Sequence, residues 1–181
     1  METLRITDDA CLYFLTYSVI EWLPVFVAEE PCCIITDSLN YCHRNRHLRI
    51  SGFVIMPTHL HLIVFDAEFD NKRLAQTLTD MRKFTGHKLL VYSQQHLPAA
   101  FATTMQKTSR ADRDNQFWQQ GRHAEAIYGR DFFAEKLGYL HDNPRRKGLV
   151  WEPTQWRFSS AAYWLAEPPG SSDVILTAVE W

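Results

Sequence analysis

His59 and His61 stand one residue apart in the run Met56-Pro57-Thr58-His59-Leu60-His61-Leu62-Ile63-Val64-Phe65. Successive side chains of a β-strand alternate between its faces, so the two imidazoles project one way while Leu60, Leu62 and Val64 project the other. Two imidazoles on one strand face, backed by an apolar face, make half of a metal site. The competing reading is a chance pair in a chain that holds 8 histidines. A second constellation lies in Tyr139-Leu140-His141-Asp142-Asn143-Pro144. Tyr139 and Asn143 are four apart and share one face of a helix that continues through Asn143. They offer a phenolic nucleophile and an amide oxygen able to ligate a hard cation. The alternative there is an ordinary core or surface tyrosine ahead of a helix-ending Asn-Pro.

These residues need a scaffold, and the hydrophobic pattern supplies one. Leu12 to Ile20 is aromatic and β-branched and reads as a strand ending near Pro24. Residues 30 to 46 carry apolar positions at helical spacing, with Pro31 suited to the first turn. Leu48 to Met56 and His59 to Phe65 are strands separated only by Pro57-Thr58, too short a break for a crossover, so they form an antiparallel hairpin. Asp70 to Gln94 is a long helix with Leu74, Leu78, Met81, Phe84 or Thr85, Leu89 and Tyr92 inside. Residues 98 to 115 lack clear periodicity and read as a loop or connector. Gln116–Gln120 and Ala124–Tyr128 read as a fourth strand kinked at Gly121, and Asp131–His141 as a helix ended by Asn143-Pro144. From Gly148 onward four of the 6 tryptophans recur, so this stretch should pack, up to Pro168-Pro169-Gly170. The element order predicts an α/β (α+β) fold, a ferredoxin-like or RRM-like split β-α-β arrangement with a central antiparallel sheet and helices on one face. Such sheets host many chemistries, so fold alone assigns none.

At 181 residues and 46% apolar content the chain has material for one buried core. It holds no 18-residue apolar run and its first residues do not form a signal peptide, so a soluble cytoplasmic protein with no membrane partner is expected. Cys11, Cys32, Cys33 and Cys42 make no C-x-x-C pair and fit buried thiols better than a disulfide framework. The formal net charge of −2 conceals an uneven distribution. Residues 72 to 147 carry 14 Lys and Arg against 7 Asp and Glu, whereas the remainder carries 5 against 14. Within that basic middle, Arg82, Lys83 and Lys88 on the long helix and Arg145, Arg146 and Lys147 after the tyrosine are candidate phosphate contacts. Solvated helix faces and a dipole-favoured cationic helix end are the competing reading. Phe117, Trp118 and Tyr128 are either base-stacking groups or core.

Several of these segments together resemble a known family. Met56-Pro57-Thr58-His59-Leu60-His61-Leu62-Ile63 resembles the HUH motif (histidine, hydrophobic residue, histidine) of the IS200-like single-tyrosine transposases, which include the REP-associated tyrosine transposases. Tyr139-Leu140-His141-Asp142-Asn143-Pro144, followed by Gly148-Leu149-Val150, resembles their nucleophile helix and its exit. Trp156-Arg157-Phe158-Ser159-Ser160 with Tyr163 resembles the following segment of the REP-associated branch. The first strand also fits, so the similarity runs over roughly residues 10 to 165, and spaced motifs in order are more specific than any one alone. This chain departs from the family in its slight overall acidity, in Thr58 where asparagine is common, and in Arg145-Arg146 where valine-arginine is common.

The resemblance implies an HUH endonuclease domain over residues 1–166 with a C-terminal tail over 167–181, acting as a transposase that nicks and rejoins single-stranded DNA. His59 and His61 would be metal ligands, Tyr139 the nucleophile, and Asn143 the third ligand where related enzymes use glutamine. The tyrosine would attack a phosphate, stay linked to the 5′ phosphate and release a 3′ hydroxyl. The implied cofactor is Mg2+ or Mn2+, the implied partner is single-stranded DNA with hairpins or palindromic repeats, and the implied assembly is a monomer or a homodimer. Two rivals stay open: a non-cleaving module of the same fold that binds structured single strands, and a metal phosphodiesterase using water as nucleophile.

Overall fold

The β2–β3 hairpin sets the frame. In the structure, a computed structural model that describes residues 10–107, 116–120 and 123–180, β2 (Leu48–Met56) and β3 (His59–Asp66) pair antiparallel across Pro57-Thr58, as the short break requires. β1 (Leu12–Ser18) lies against the other side of β3, and β4 (His123–Ile127) against β1, giving the antiparallel order β2-β3-β1-β4. This is the order of a split β-α-β sheet, and the expected fold class holds.

Both faces of the sheet are apolar, and each is covered. Tyr13, Leu15 and Tyr17 of β1 and Leu60, Leu62 and Val64 of β3 face α1 (Glu29–Asn45) and α2 (Asn71–His96) in the larger core. Leu12 and Phe14, Val54 and Met56, and Ile63 face the opposite way and pack under Leu137 and Leu140 of α4 (Arg130–Arg146). The expectation of helices on one face is therefore corrected: α4 forms a layer of its own, because an apolar second face must be buried by something. Gly52 lets that layer come close. A Cβ there would meet Leu137 Cδ1 at 2.7 Å, and the chain makes a register shift at this point of β2.

Three further expectations change. Residues 99 to 107 are helical (α3, Ala99–Lys107), because Phe101 and Met105, one turn apart, seat that segment on the larger core. Residues 108–115, the rest of the expected loop, lie outside the described residues, as does Gly121, the expected kink. Gln116–Gln120 contributes only an isolated bridge between Trp118 and Val19 rather than a strand, and Phe117 and Trp118 are buried core, not stacking surface. Finally, α4 does not stop at Asn143-Pro144. Pro144 withholds the donor that the Leu140 carbonyl would accept, yet the helix runs on through Arg146. The end comes at Gly148, whose φ of +70° suits glycine and whose N–H donates to the Arg145 carbonyl at 2.9 Å.

The free edge of β2 is occupied by later chain. Ile55 N–H donates to Phe158 O and Ser160 N–H to Phe53 O, and farther along Thr177 N–H donates to Ile50 O. The Trp156 and Trp164 indoles donate to the Ile55 and Ser51 carbonyls at 2.9 Å. Packing thus continues past Pro168-Pro169-Gly170, where it was expected to stop: Val174 is buried, and Asn40 holds both Asp173 O and Ile175 N–H. An edge strand left bare would offer unpaired backbone groups, which explains why this segment runs along it.

A candidate histidine-tyrosine active site

The period-two rule puts His59 and His61 on the α4 side of β3, in the same file as Ile63. Their ring centroids are 4.8 Å apart. Register then supplies neighbours that no local pattern reveals. Thr16 stands directly opposite His61 on β1, and its Oγ1 is hydrogen-bonded to His61 Nδ1 at 2.8 Å. Thr58 Oγ1 does the same for His59 Nδ1 at 3.0 Å. Phe14 stacks on the His61 ring at 5.1 Å. Each imidazole is therefore fixed through Nδ1, and His61 Nε2 is left buried with no hydrogen-bond partner.

α4 brings the second half of the constellation to the same place. The Tyr139 ring lies edge-on to His61 at 5.7 Å and to Phe14 at 6.1 Å, while 41% of the residue is exposed. The Arg146 guanidinium sits 5.2 Å from the centre of the Tyr139 ring. At the other end of this stripe the charge of Lys147 is felt at His59. Asn143 falls between Tyr139 and Lys147 on the same helix face, since 139, 143 and 147 are four apart. It is 5% exposed, and its Nδ2 has no partner. Both unpartnered buried groups are costly; His61 Nε2 can offer a lone pair to a cation, whereas Asn143 Nδ2 is a donor that needs an acceptor such as a phosphate oxygen.

Electrostatics favour neutral imidazoles. Burial, with the Lys147 charge adding to it, pushes His59 down to about 4. Burial, with neighbouring His59 adding to it, pushes His61 down to about 3. Neutral imidazole is the ligating form, so both are ready to donate lone pairs at neutral pH. Among the described residues no three His, Cys, Asp or Glu side chains gather into a metal site. The donor set on hand is two imidazoles and one carboxamide.

The remaining sequence candidates separate. Arg146 and Lys147 border the tyrosine and the histidines, whereas Arg145 is paired with Asp142 at 2.5 Å. Arg82, Lys83 and Lys88 ride on α2, on the other side of the sheet from the histidines. Arg82 donates to the Gln119 carbonyl and lies over the Tyr17 ring, which ties it to the fold. Lys83 and Lys88 are exposed, the latter 5.8 Å from the Phe84 ring centre. Tyr128 is exposed as well, next to Ile127, which joins the smaller core.

Several contributors escaped the sequence reading. Thr16 and Phe14 are invisible without the β1–β3 register. Lys136 lies within 5.4 Å of the Phe14 ring centre and is bound to Glu125 on β4 at 2.6 Å. His141 is buried on α4 and hydrogen-bonded through Nε2 to Ser160 Oγ at 2.8 Å, which ties the tyrosine helix to the segment on the β2 edge. Only Thr58 carried a local signal, being adjacent to His59.

Comparison with known proteins gives likeness to solved structures and no sequence match. No protein-family model matches the chain, and no curated protein matches it. The fold is similar to that of a solved REP-associated tyrosine transposase bound to a REP hairpin, with a TM-score of 0.66 and 16% sequence identity, over 100% of this chain and 95% of that one. At that identity the likeness is one of fold.

Proposed function

We propose that this chain is a metal-dependent single-stranded DNA transposase or endonuclease, which cleaves and rejoins DNA at hairpin-flanked repeat sequences through a 5′-phosphotyrosine on Tyr139. The observation that carries the reading is the convergence of two elements far apart in sequence: a tyrosine of α4 meets a histidine pair of β3, ring to ring at 5.7 Å. The similarity of fold to a hairpin-bound tyrosine transposase supports it.

The residues fit a divalent ion. With Nδ1 of each histidine engaged by a threonine hydroxyl, Nε2 is the nitrogen available to a metal, and the buried His61 Nε2 has no other partner. His59, His61 and the Asn143 amide would hold Mg2+ or Mn2+, and nitrogen donors favour manganese of the two. When bound there, such an ion would supply Lewis-acid charge to the scissile phosphate and the departing 3′ oxygen.

The chain's own residues do the rest. Tyr139 Oη attacks phosphorus, the P–O3′ bond breaks, the phenol gives up its proton and the leaving oxygen takes one up as a 3′ hydroxyl. The ring edges of Phe14 and His61 and the Arg146 guanidinium confine the phenol ring while leaving it open to solvent. Arg146 and Lys147 supply positive charge for the phosphates on either side, with Arg145 next to them. The phosphotyrosine bond keeps the energy of the diester, so attack by another 3′ hydroxyl reseals DNA without ATP. Arg82, Lys83 and Lys88, on the opposite layer, would serve only DNA that wraps past the sheet.

Tyr139 meets His61 of its own chain, which supports a site completed within a monomer. No helix among the described residues is long and apolar enough to cross a membrane, and the four cysteines are free, in keeping with work in the reducing cytoplasm. The proposed catalytic domain is residues 1–166, with 167–181 as a C-terminal tail.

The test is cleavage of labelled single-stranded oligonucleotides carrying the palindromes that flank the gene, with manganese, magnesium or chelator, by the wild type and Tyr139→Phe. Metal-dependent cleavage that vanishes in Tyr139→Phe is expected. Cleavage by Tyr139→Phe would instead identify a water-using phosphodiesterase, and binding without cleavage a recognition module.

A further inference from the structure

The connection from β1 to α1 holds an indole out beside the histidine pair, in a backbone conformation that bulky residues rarely take. Glu21 and Trp22 are consecutive and both have positive φ, 49° and 55°. That region brings Cβ against the following carbonyl, and non-glycine residues held there are concentrated at functional sites. The loop is not loose. Val19 N–H donates to Thr58 O at 2.9 Å and Phe26 N–H to Pro57 O at 3.0 Å, so both of its ends are tied to the turn that leads into His59. Ile20, Val25 and Phe26 are buried on either side of the bend, whereas Trp22 is 54% exposed. Its ring stands edge-on to His59 at 5.9 Å.

A tryptophan that merely spilled onto the surface would need no left-handed backbone. Here the fold directs its shorter apolar neighbours inward and raises the largest π-surface available outward, against one of the two histidines. Lys147 brings positive charge to the same histidine from α4. An aromatic face beside a cation and an open binding position is the arrangement that receives an unpaired nucleotide: the base stacks while its phosphate meets the charge. Every base has a π-face, so this contact would be tolerant of sequence.

We infer that Trp22 is a stacking platform for one unpaired nucleobase adjoining the scissile phosphate at the His59–His61 site. The inference rests on the proposed single-stranded DNA function and names a contact of that substrate. Because the loop is tied down at both ends, the indole is presented ready-made and little ordering is needed on binding.

The test is an abasic walk. A hairpin oligonucleotide from the palindromes flanking the gene, with a single-stranded extension, is prepared with each extension base removed in turn and the backbone left intact. Affinity is measured by fluorescence anisotropy in chelator, so that no cleavage intervenes. For the wild type, one position should show a loss of about tenfold. Trp22→Ala should bind the intact oligonucleotide about tenfold more weakly and show no further loss at that position, while Trp22→Phe should keep most of the affinity. Circular dichroism confirms that the variants are folded. Undiminished binding by Trp22→Ala, or an abasic penalty that persists in it, overturns this inference and leaves the proposed function standing. Failure of the wild type to bind any such hairpin in chelator, and of Tyr139→Phe to bind it with manganese, overturns both.

Discussion

Acid should unfold this protein through its histidines before its carboxylates. His61 and His141 are 5% and 2% exposed, and burial pushes them down to about 3 and about 4. In the unfolded chain each would titrate near 6.5. Below that pH the unfolded state takes up protons that the folded state refuses, so the stability these groups carry is whole above about 6.5 and is lost as pH falls toward the folded values. Each pH unit in that window costs about 1.4 kcal/mol per histidine, hence about 2 kcal/mol each, or about 4 kcal/mol for the pair, between pH 7 and 5. His59 and His43, also lowered with burial as the first cause, act in the same direction. The buried Asp66 does not confuse the window. Burial would raise its carboxyl, but the Arg73 guanidinium and the Glu68 and Asp70 amides outweigh that and hold it below the usual range, so its loss begins at lower pH. The assay is urea unfolding in chelator at pH 7 and 5. Changing His61 or His141 to Gln should each remove about 2 kcal/mol of the pH-dependent loss, whatever it does to stability at pH 7. A wild type equally stable at both values, or variants that keep the full loss, would refute the argument from burial.

Other perturbations have equally definite outcomes. Ser160→Ala strands His141 Nε2 and also removes the acceptor of Phe53 N–H; urea denaturation at pH 7 should show a loss of about 1–3 kcal/mol. Thr16→Val frees His61 to rotate without touching the ligating nitrogen, so titration calorimetry should find manganese binding about 10–100-fold weaker with the unfolding midpoint little changed. Trp22→Gly and Trp22→Ala both remove the indole, but only glycine takes the positive φ without strain, so the glycine variant should be the more stable of the two by about 1 kcal/mol in thermal melts.

Local pattern carried much of the fold. β2 and β3 were legible because Pro57-Thr58 leaves no room for anything but a hairpin, and α2 because Leu74, Leu78, Met81, Thr85 and Leu89 keep helical spacing and are all buried. Asp70 also caps α2 as its side chain allows, accepting from the Lys72 and Arg73 amides. What pattern could not decide was the layer to which α4 belongs, since near-continuous burial along β2 and β3 announces two covered faces without naming the cover. Pro144 misled because it removes only its own backbone donor: Arg145 and Arg146 stay helical after it, and the run ends two residues later than the Asn-Pro signal implies. In the same way, Phe101 and Met105 formed a spacing too short to read as a helix until Met105 had a core to enter.

The candidate site divides along the same line. Strand and helix periods made His59, His61, Tyr139 and Asn143 candidates without excluding a chance pair and an ordinary tyrosine, and only the resemblance to a family's spaced motifs joined the two pairs. Thr16, Phe14 and Trp22 were not legible, because each reaches the histidines from another element through register or a loop path. The two basic clusters looked alike in sequence, and only the sheet between them separates Arg146 and Lys147, beside the tyrosine, from Lys83 and Lys88 on the far layer.

The most direct measurement is to trap the reaction on an oligonucleotide whose released strand is too short to rejoin, digest the protein with trypsin and locate the modification by mass spectrometry. A nucleotide joined through its 5′ phosphate to the peptide bearing Tyr139, formed only with manganese or magnesium, is the expected result. Cleaved DNA with no modified peptide, or a nucleotide on any other residue, would contradict the assignment of Tyr139 as the nucleophile.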